Sequence, residues 1–280
     1  MEYKDYPVLS DAELPNVSVI TPCLGRQHFL PLCVANLFHF DYPKEKITWC
    51  LYQDGDQGSM FESKEHEKYI RDKLHPIKLI YKYDPKNKKT IGEKRNFCIK
   101  KMNTNKFVAM MDSDDIYLPT YLRYALSTIK IKKMGIVGSK SMLFVYPYKD
   151  YKMTAIRCEH DRQIHEGTSV LTMKHFNSTS GFSKSSQGEG TGLLDYCESR
   201  AYDLDITLIM VCVDHGFNTI PKDFFDKDNN KIDATIGGLH YKILDAILRD
   251  KYPDKFSKTT QQASSLSQEQ LESPPQQPPE

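Results

Sequence analysis

Between residues 17 and 111, short β-rich runs and helix-periodic segments alternate four times, which confines the chain to a parallel sheet with helices on both faces. Strands are predicted at 17–21, 47–53, 77–83 and 105–111. Helices are predicted at 30–40, where Leu30, Val34, Leu37 and Phe38 recur at helical spacing, and at 62–74 and 91–102. A further helix begins near Pro119, and Thr90 is the expected N-cap of the third helix. In such sheets ligands bind beyond the carboxyl ends of the strands. Three polar clusters fall there, at 22–28, 54–58 and 112–115, and should converge on one crevice.

The last cluster carries the most chemistry. Asp112-Ser113-Asp114-Asp115 sets three carboxylates directly after the apolar run Phe107-Val108-Ala109-Met110-Met111. That much negative charge at the end of a buried strand costs stability unless a cation answers it. A hard divalent ion suits the pattern, because it takes one or two carboxylates and completes its shell with phosphates and water. The other reading is an Asp-rich turn that caps the next helix. Upstream, Lys86, Lys88, Lys89, Lys94, Arg95, Lys100 and Lys101 face Glu93 alone. The helix opened by Thr90-Ile91-Gly92-Glu93-Lys94-Arg95-Asn96 favours an anion at its N-terminus. Arg95 could clamp a phosphate or fix Asp112 or Asp114, whereas Lys100 and Lys101 read as a solvated face.

Composition narrows the class. The 280 residues suffice for one large α/β domain with additions, with 39% hydrophobic and 27% charged residues. A net charge of +1 gives no global attraction to nucleic acid or membrane. The 7 cysteines show neither a Cys-x-x-Cys pair nor zinc spacing, and Cys33, Cys50, Cys98 and Cys212 sit in apolar segments as small buried hydrophobes do in a reducing compartment. Residues 1–15 carry no apolar core of a signal peptide, and no run approaches the ~20 residues of a membrane span. The expectation is a soluble cytoplasmic protein without a transmembrane segment. Residues 257–280, rich in Gln, Ser and Pro, read as a disordered tail.

The second half is less regular. Residues 135–148 read as one or two strands broken by Gly138-Ser139, and 168–173 as a short strand after Gly167. The apolar run 206–213, preceded by Asp203-Leu204-Asp205 and closed by His215-Gly216, fits either element by periodicity. Acidic residues before it and Gly216 after it favour a helix.

Taken in order, Val17-Ser18-Val19-Ile20-Thr21-Pro22, Gln53-Asp54-Gly55-Asp56, Lys94-Arg95-Asn96 and Asp112-Ser113-Asp114-Asp115 resemble the family 2 glycosyltransferases, which have the GT-A fold. The resemblance implies a GT-A domain over 15–256, with a nucleotide-binding half at 15–126 and an acceptor half at 127–256, after an extension at 1–14. It implies an inverting transfer from a nucleotide-diphosphate sugar, UDP-linked, to a glycan or protein acceptor. Position by position, it implies that Asp54 hydrogen-bonds the base beside Pro22 and Cys23, and that Arg95, Asp112 and Ser113 contact the nucleotide. Asp112 and Asp114 would hold Mn²⁺ or Mg²⁺, with Asp115 behind them and His240 as a late histidine on the metal. Gly167 and Thr168 would lie against the donor sugar. The family's first Asp of the pair before Gly is Gln53 here, which puts the base identity in question. Family members also carry a Glu-Asp pair at a helix start, about a dozen residues before a Gly. Counting back from Gly216 gives Asp205 as the general base, with Asp203 and Glu198 as fallbacks and a plain helix cap as the other reading of Asp205.

Other classes fit less well. A haloacid-dehalogenase-type phosphatase carries its Asp-x-Asp on the first strand, not over a hundred residues in. A sugar nucleotidyltransferase needs a Gly-rich basic N-terminal loop, of which Pro22-Cys23-Leu24-Gly25-Arg26 is a poor version. A non-catalytic nucleotide-sugar module stays open because the Glu before Asp205 is missing. Residues 226–233 lack the Gly and Glu of a calcium loop and read as a polar turn.

Overall fold

The computed structural model describes residues 6–158, 164–194, 201–219 and 221–256. Chain order runs β1 (Val17–Cys23), α1 (Leu30–His39), β2 (Ile47–Asp54), α2 (Lys64–Leu74), β3 (Lys78–Asp84), α3 (Ile91–Phe97), β4 (Phe107–Met110), β5 (Ile116–Tyr117) and α4 (Tyr121–Lys132). It continues with β6 (Ile136–Gly138), β7 (Ser141–Tyr146), β8 (Lys152–Arg157), β9 (Val170–Thr172), α5 (Met173–Asn177), α6 (Thr191–Leu194), β10 (Tyr202–Asp203), β11 (Met210–Val213), β12 (Lys231–Ile232), α7 (Gly238–Lys251) and α8 (Pro253–Phe256).

The predicted βα units form as expected. Strands β3, β2, β1 and β4 lie side by side and parallel, Val17 pairing with both Ile47 and Phe107. β1 and β2 are covered on both faces, which is why their sequences are apolar without alternation. Inside, the Trp49 indole donates to Thr21 Oγ1 at 2.9 Å, so the one polar atom of a large core side chain is satisfied. Thr90 closes a capping box with Glu93 at the start of α3, as its position predicts, and the helix runs into a π-turn over Cys98–Met102.

The second half departs from a parallel pattern. β9 inserts antiparallel between β4 and β6, and β10 extends the edge to give a seven-stranded sheet, β10-β6-β9-β4-β1-β2-β3. A second sheet has the order β12-β8-β7-β11-β5. The helix expected over 206–213 is not formed. Ile206–Leu208 makes one 3-10 turn, and Met210–Val213 is strand β11, hydrogen-bonded to β7 on one side and β5 on the other. Burial on both faces explains its unbroken apolar character, and Asp205 caps only the short turn. Gly216 (φ +75°) turns the chain after a strand. The segment before β1 packs back on the fold, with Tyr6 against Tyr124 at 4.7 Å and Leu14 in the core. Residues 257–280 lie outside the described residues.

Because β5 follows β4 by only a few residues yet belongs to the second sheet, the acidic loop 111–115 is pinned where the two sheets meet. Among the described residues no helix is long and apolar enough to cross a membrane.

Candidate active site

The strand ends open on a cleft of about 660 Å³, and Asp112, Ser113, Asp114 and Asp115 all line it. Asp112 is gripped by Arg95, whose Nη2 donates to Oδ1 at 2.8 Å and to Oδ2 at 2.9 Å. The other arm of the same guanidinium binds Glu189, so one buried cation joins carboxylates from two parts of the chain. Burial opposes the Arg95 charge, but Asp112 and Glu189 outweigh it and raise its pKa above the ordinary value. Burial also raises the pKa of Glu189, with Arg95 opposing. Tyr117 orders the loop from behind: its hydroxyl accepts from the Asp112 N–H at 3.0 Å and donates to the Gly167 carbonyl at 2.8 Å.

Asp114 Oδ2 accepts from Arg26 Nε at 3.1 Å and lies 3.0 Å from His215 Nε2. Burial would raise this carboxyl, but the hydrogen bond and charge of His215, with Arg26, pull it well below its usual range. Asp115 is pushed up to about 8 by burial and then by Asp114 and Asp112. Its Oδ1 accepts from the Val213 N–H at 2.8 Å, which locks the acidic loop to β11. A protonated Asp115 beside an ionised Asp114 limits the repulsion within the cluster.

Several expected residues take other places. Asp54 is fully buried and does not line the cleft; Lys94 Nζ sits 2.6 Å from its Oδ1, and the Lys89 N–H donates to Oδ2 at 2.8 Å. Pro22 and Cys23 do line it, and burial pushes the Cys23 thiol up to about 12. Gly167 lines the cleft so tightly that a Cβ there would lie 3.0 Å from Asp112 Oδ2. Thr168 is fully buried, accepting from the Ser139 N–H at 2.8 Å and donating to the His165 carbonyl at 2.6 Å, and does not line the cleft.

The expected base is not brought to the cleft. Asp205 Oδ1 caps the turn at Thr207, and Oδ2 accepts from Tyr6 at 3.1 Å. Asp203 binds the Lys140 N–H and Arg157 instead. Both expectations came from counting along a helix that does not exist. Glu198 lies outside the described residues. His240 is buried on α7 against His39, ring centroids 5.4 Å apart, and does not line the cleft. The histidine at the acidic cluster is His215. Sequence reasoning missed Glu189, which stands just before α6 with Gly190 and not an aspartate after it, and which reaches the cleft through its ion pair with Arg95. It also passed over His215 as the end of an apolar run, and over Arg26.

Among the described residues no group of three or more His, Cys, Asp and Glu side chains is arranged to cage a metal. The donor set fits an ion of another kind, one that takes a carboxylate or two and fills its shell from a bound phosphate. Across the cleft stand Met142, Phe144, Ile156 and Phe225 from the second sheet and its connections, with Lys222 and His165 beside them.

Comparison with known proteins places this geometry. The family model described as "Glycosyl transferase family 2" matches residues 18–185, more than half of the chain. No curated protein matches it in sequence. Among solved structures it is similar to the mannosyltransferase PcManGT from Pyrobaculum calidifontis in complex with GDP-Man and Mn²⁺, at 14% identity, covering 97% of this chain and 79% of that one with a TM-score of 0.53. It is similar to S. aureus TarS 1–349 in complex with UDP-GlcNAc, at 15% identity, 90% and 75% coverage and a TM-score of 0.54. It also matches GalNAc-T7 with UDP, GalNAc and Mn²⁺, at 10% identity and a TM-score of 0.55, over 73% of this chain and 45% of that one. The chain has the GT-A fold and belongs to glycosyl transferase family 2, the family of the enzymes its motifs resemble.

Proposed function

We propose that the protein transfers a sugar, with inversion, from a nucleotide-diphosphate sugar to an acceptor hydroxyl, using Asp112 and Asp114 to hold a divalent cation and Glu189 to take the proton. The observation that supports this most is the Arg95 bridge, which sets Glu189 and Asp112 in one cleft. A bound Mn²⁺ or Mg²⁺ would neutralise charge on the leaving diphosphate. The similar structures that carry GDP-Man, UDP-GlcNAc and Mn²⁺ support a donor and ion of this class.

Each residue's part follows from its surroundings. Arg95 holds Asp112 toward the diphosphate side and keeps Glu189 oriented. Burial raises the pKa of Glu189 and makes it a stronger proton acceptor than an exposed glutamate, while the Arg95 guanidinium opposes that rise by favouring the carboxylate. It receives the proton of the acceptor hydroxyl as that oxygen attacks the anomeric carbon opposite the departing diphosphate. Gly167 leaves room for the donor against Asp112. Lys222 and Arg26 add positive charge along the path of the leaving group. The wall made by Met142, Phe144, Ile156 and Phe225 bounds the half of the cleft left for a glycan or protein acceptor.

Release of nucleoside diphosphate from a panel of UDP- and GDP-sugars with Mn²⁺ tests this directly. Glu189→Gln should lower turnover by about 100-fold or more while donor affinity stays within about threefold. Unchanged turnover in that variant would remove Glu189 from the chemistry.

A further inference from the structure

Glu166 lines the cleft and has no part in the reaction proposed above. It opens the short turn Glu166–Thr168 that leads into β9. Its Oε1 accepts from the Gly190 N–H at 3.1 Å. Gly190 makes room for it: a Cβ there would fall 2.6 Å from Glu166 Cγ and 3.0 Å from Oε1. Gly190 follows Glu189, so Glu166 is pinned to the backbone of the proposed base. On its other side Gly167 abuts Asp112. Glu166 thus stands on the base side of the turn, where an acceptor hydroxyl must come to deliver its proton. Its second oxygen, Oε2, meets no donor and no ion-pair partner among the described residues.

The neighbouring surface is apolar and flat. Met142 and Phe144 leave one face of β7, Ile156 lies opposite Met142, and Phe225 stacks on Phe144 with ring centroids 4.9 Å apart. Such a wall suits the C–H face of a sugar ring, with a few polar groups to fix its orientation. His165, next to Glu166, supplies another: its Nε2 is buried without a hydrogen-bond partner. Burial lowers the pKa of this imidazole. A hydroxyl both donates and accepts, so it satisfies that nitrogen in either neutral tautomer.

We propose that Glu166 is a specificity-determining residue that accepts a hydrogen bond from a second acceptor hydroxyl, adjacent to the one Glu189 deprotonates, and that the acceptor is a saccharide with neighbouring hydroxyls. A serine or threonine side chain brings a single hydroxyl and leaves Oε2 unanswered, which costs affinity. The inference rests on the transfer reaction and the role of Glu189 proposed above.

The test measures transfer by the full chain, with Mn²⁺, from whichever UDP- or GDP-sugar releases its nucleoside diphosphate. The acceptors are neutral methyl glycosides and disaccharides, serine and threonine peptides, and deoxy analogues of the best glycoside, each lacking one hydroxyl beside the attacking one. Wild type should use at least one glycoside and neither peptide, and one deoxy analogue should lower kcat/KM about tenfold or more. In Glu166→Ala that analogue and its parent should react within about twofold of each other. Glu166→Gln keeps an oxygen for the Gly190 N–H and puts a neutral amide at Oε2, so the difference should shrink to about threefold. A residue that only supports the turn would slow both substrates alike and leave the tenfold difference in place. That result in both variants, equal reaction of parent and every deoxy analogue in the wild type, transfer to the peptides, or donor turnover with no saccharide accepted would each overturn the assignment. Absence of nucleoside diphosphate release from every donor, with or without saccharide, would instead remove the transferase reading, and the inference with it.

Discussion

Arg95 and Glu189, 94 residues apart in sequence, form a buried ion pair, and the second arm of the same guanidinium closes on Asp112. Removing it strands two carboxylates, buried Glu189 and partly exposed Asp112, without the cation they share. Arg95→Met should destabilise the protein by about 3 kcal/mol, read by chemical denaturation, and lower turnover by about 100-fold or more. Arg95→Lys restores the charge without the fork and should fall between wild type and Met. A Met variant of wild-type stability and rate would show that the bridge is incidental.

Gly167 meets the acidic loop at the closest approach a side chain would make, with Asp112 Oδ2 3.0 Å and Tyr117 Oη 3.6 Å from a Cβ placed there. Gly167→Ala should displace Asp112 by a few tenths of an ångström. Affinity for the metal–nucleotide complex should drop about tenfold, measured by calorimetry, with the melting temperature nearly unchanged.

The first half of the fold was legible because its two periodicities are clean. Leu30, Val34 and Leu37 mark one helix face, Thr90 with Glu93 writes a capping box, and β1, β2 and β4 are apolar runs ended by polar clusters. The acidic loop and Arg95 could therefore be placed together before any coordinates, and they are. Residues 206–213 were not legible, since an unbroken apolar run satisfies both periods, and only its partners β7 and β5 make it a strand. That error carried the base with it, because Asp205 was found by counting along the missing helix. Glu189 and His215 reach the cleft through long-range packing against Arg95 and Asp114, which no local pattern encodes. Asp54 was correctly placed at a strand end, but its burial beneath Lys94 is a tertiary fact.

Thr90 accepts from the Glu93 N–H, while the Glu93 side chain accepts from the Thr90 N–H at 3.0 Å. Thr90→Ala removes half of that box and should cost about 1 kcal/mol in chemical denaturation. Because α3 carries Lys94 and Arg95, donor affinity should weaken as well, by a smaller factor than in the Arg95 variants.

His240 is held down to about 4, from an ordinary 6.5, by burial and then by the neighbouring His39. A folded-state pKa below the unfolded one stabilises the native state fully above pH 6.5, and that contribution is lost as pH falls through about 4. Between those values the wild type should lose denaturation midpoint more steeply than His240→Phe, which cannot take up a proton. Parallel curves for the two proteins would show that the imidazole is not held neutral.

The central claim is that the acidic loop binds a nucleotide through a metal, and calorimetry of UDP and GDP with Mn²⁺ or with chelator tests it most directly. Wild type should bind at least one of them in Mn²⁺ and lose it in chelator, and Asp114→Ala should show no metal-dependent binding. Binding that is equal with Mn²⁺ and chelator, or no binding of either nucleotide in the wild type, would contradict the account and leave Asp112-Ser113-Asp114-Asp115 as a structural turn.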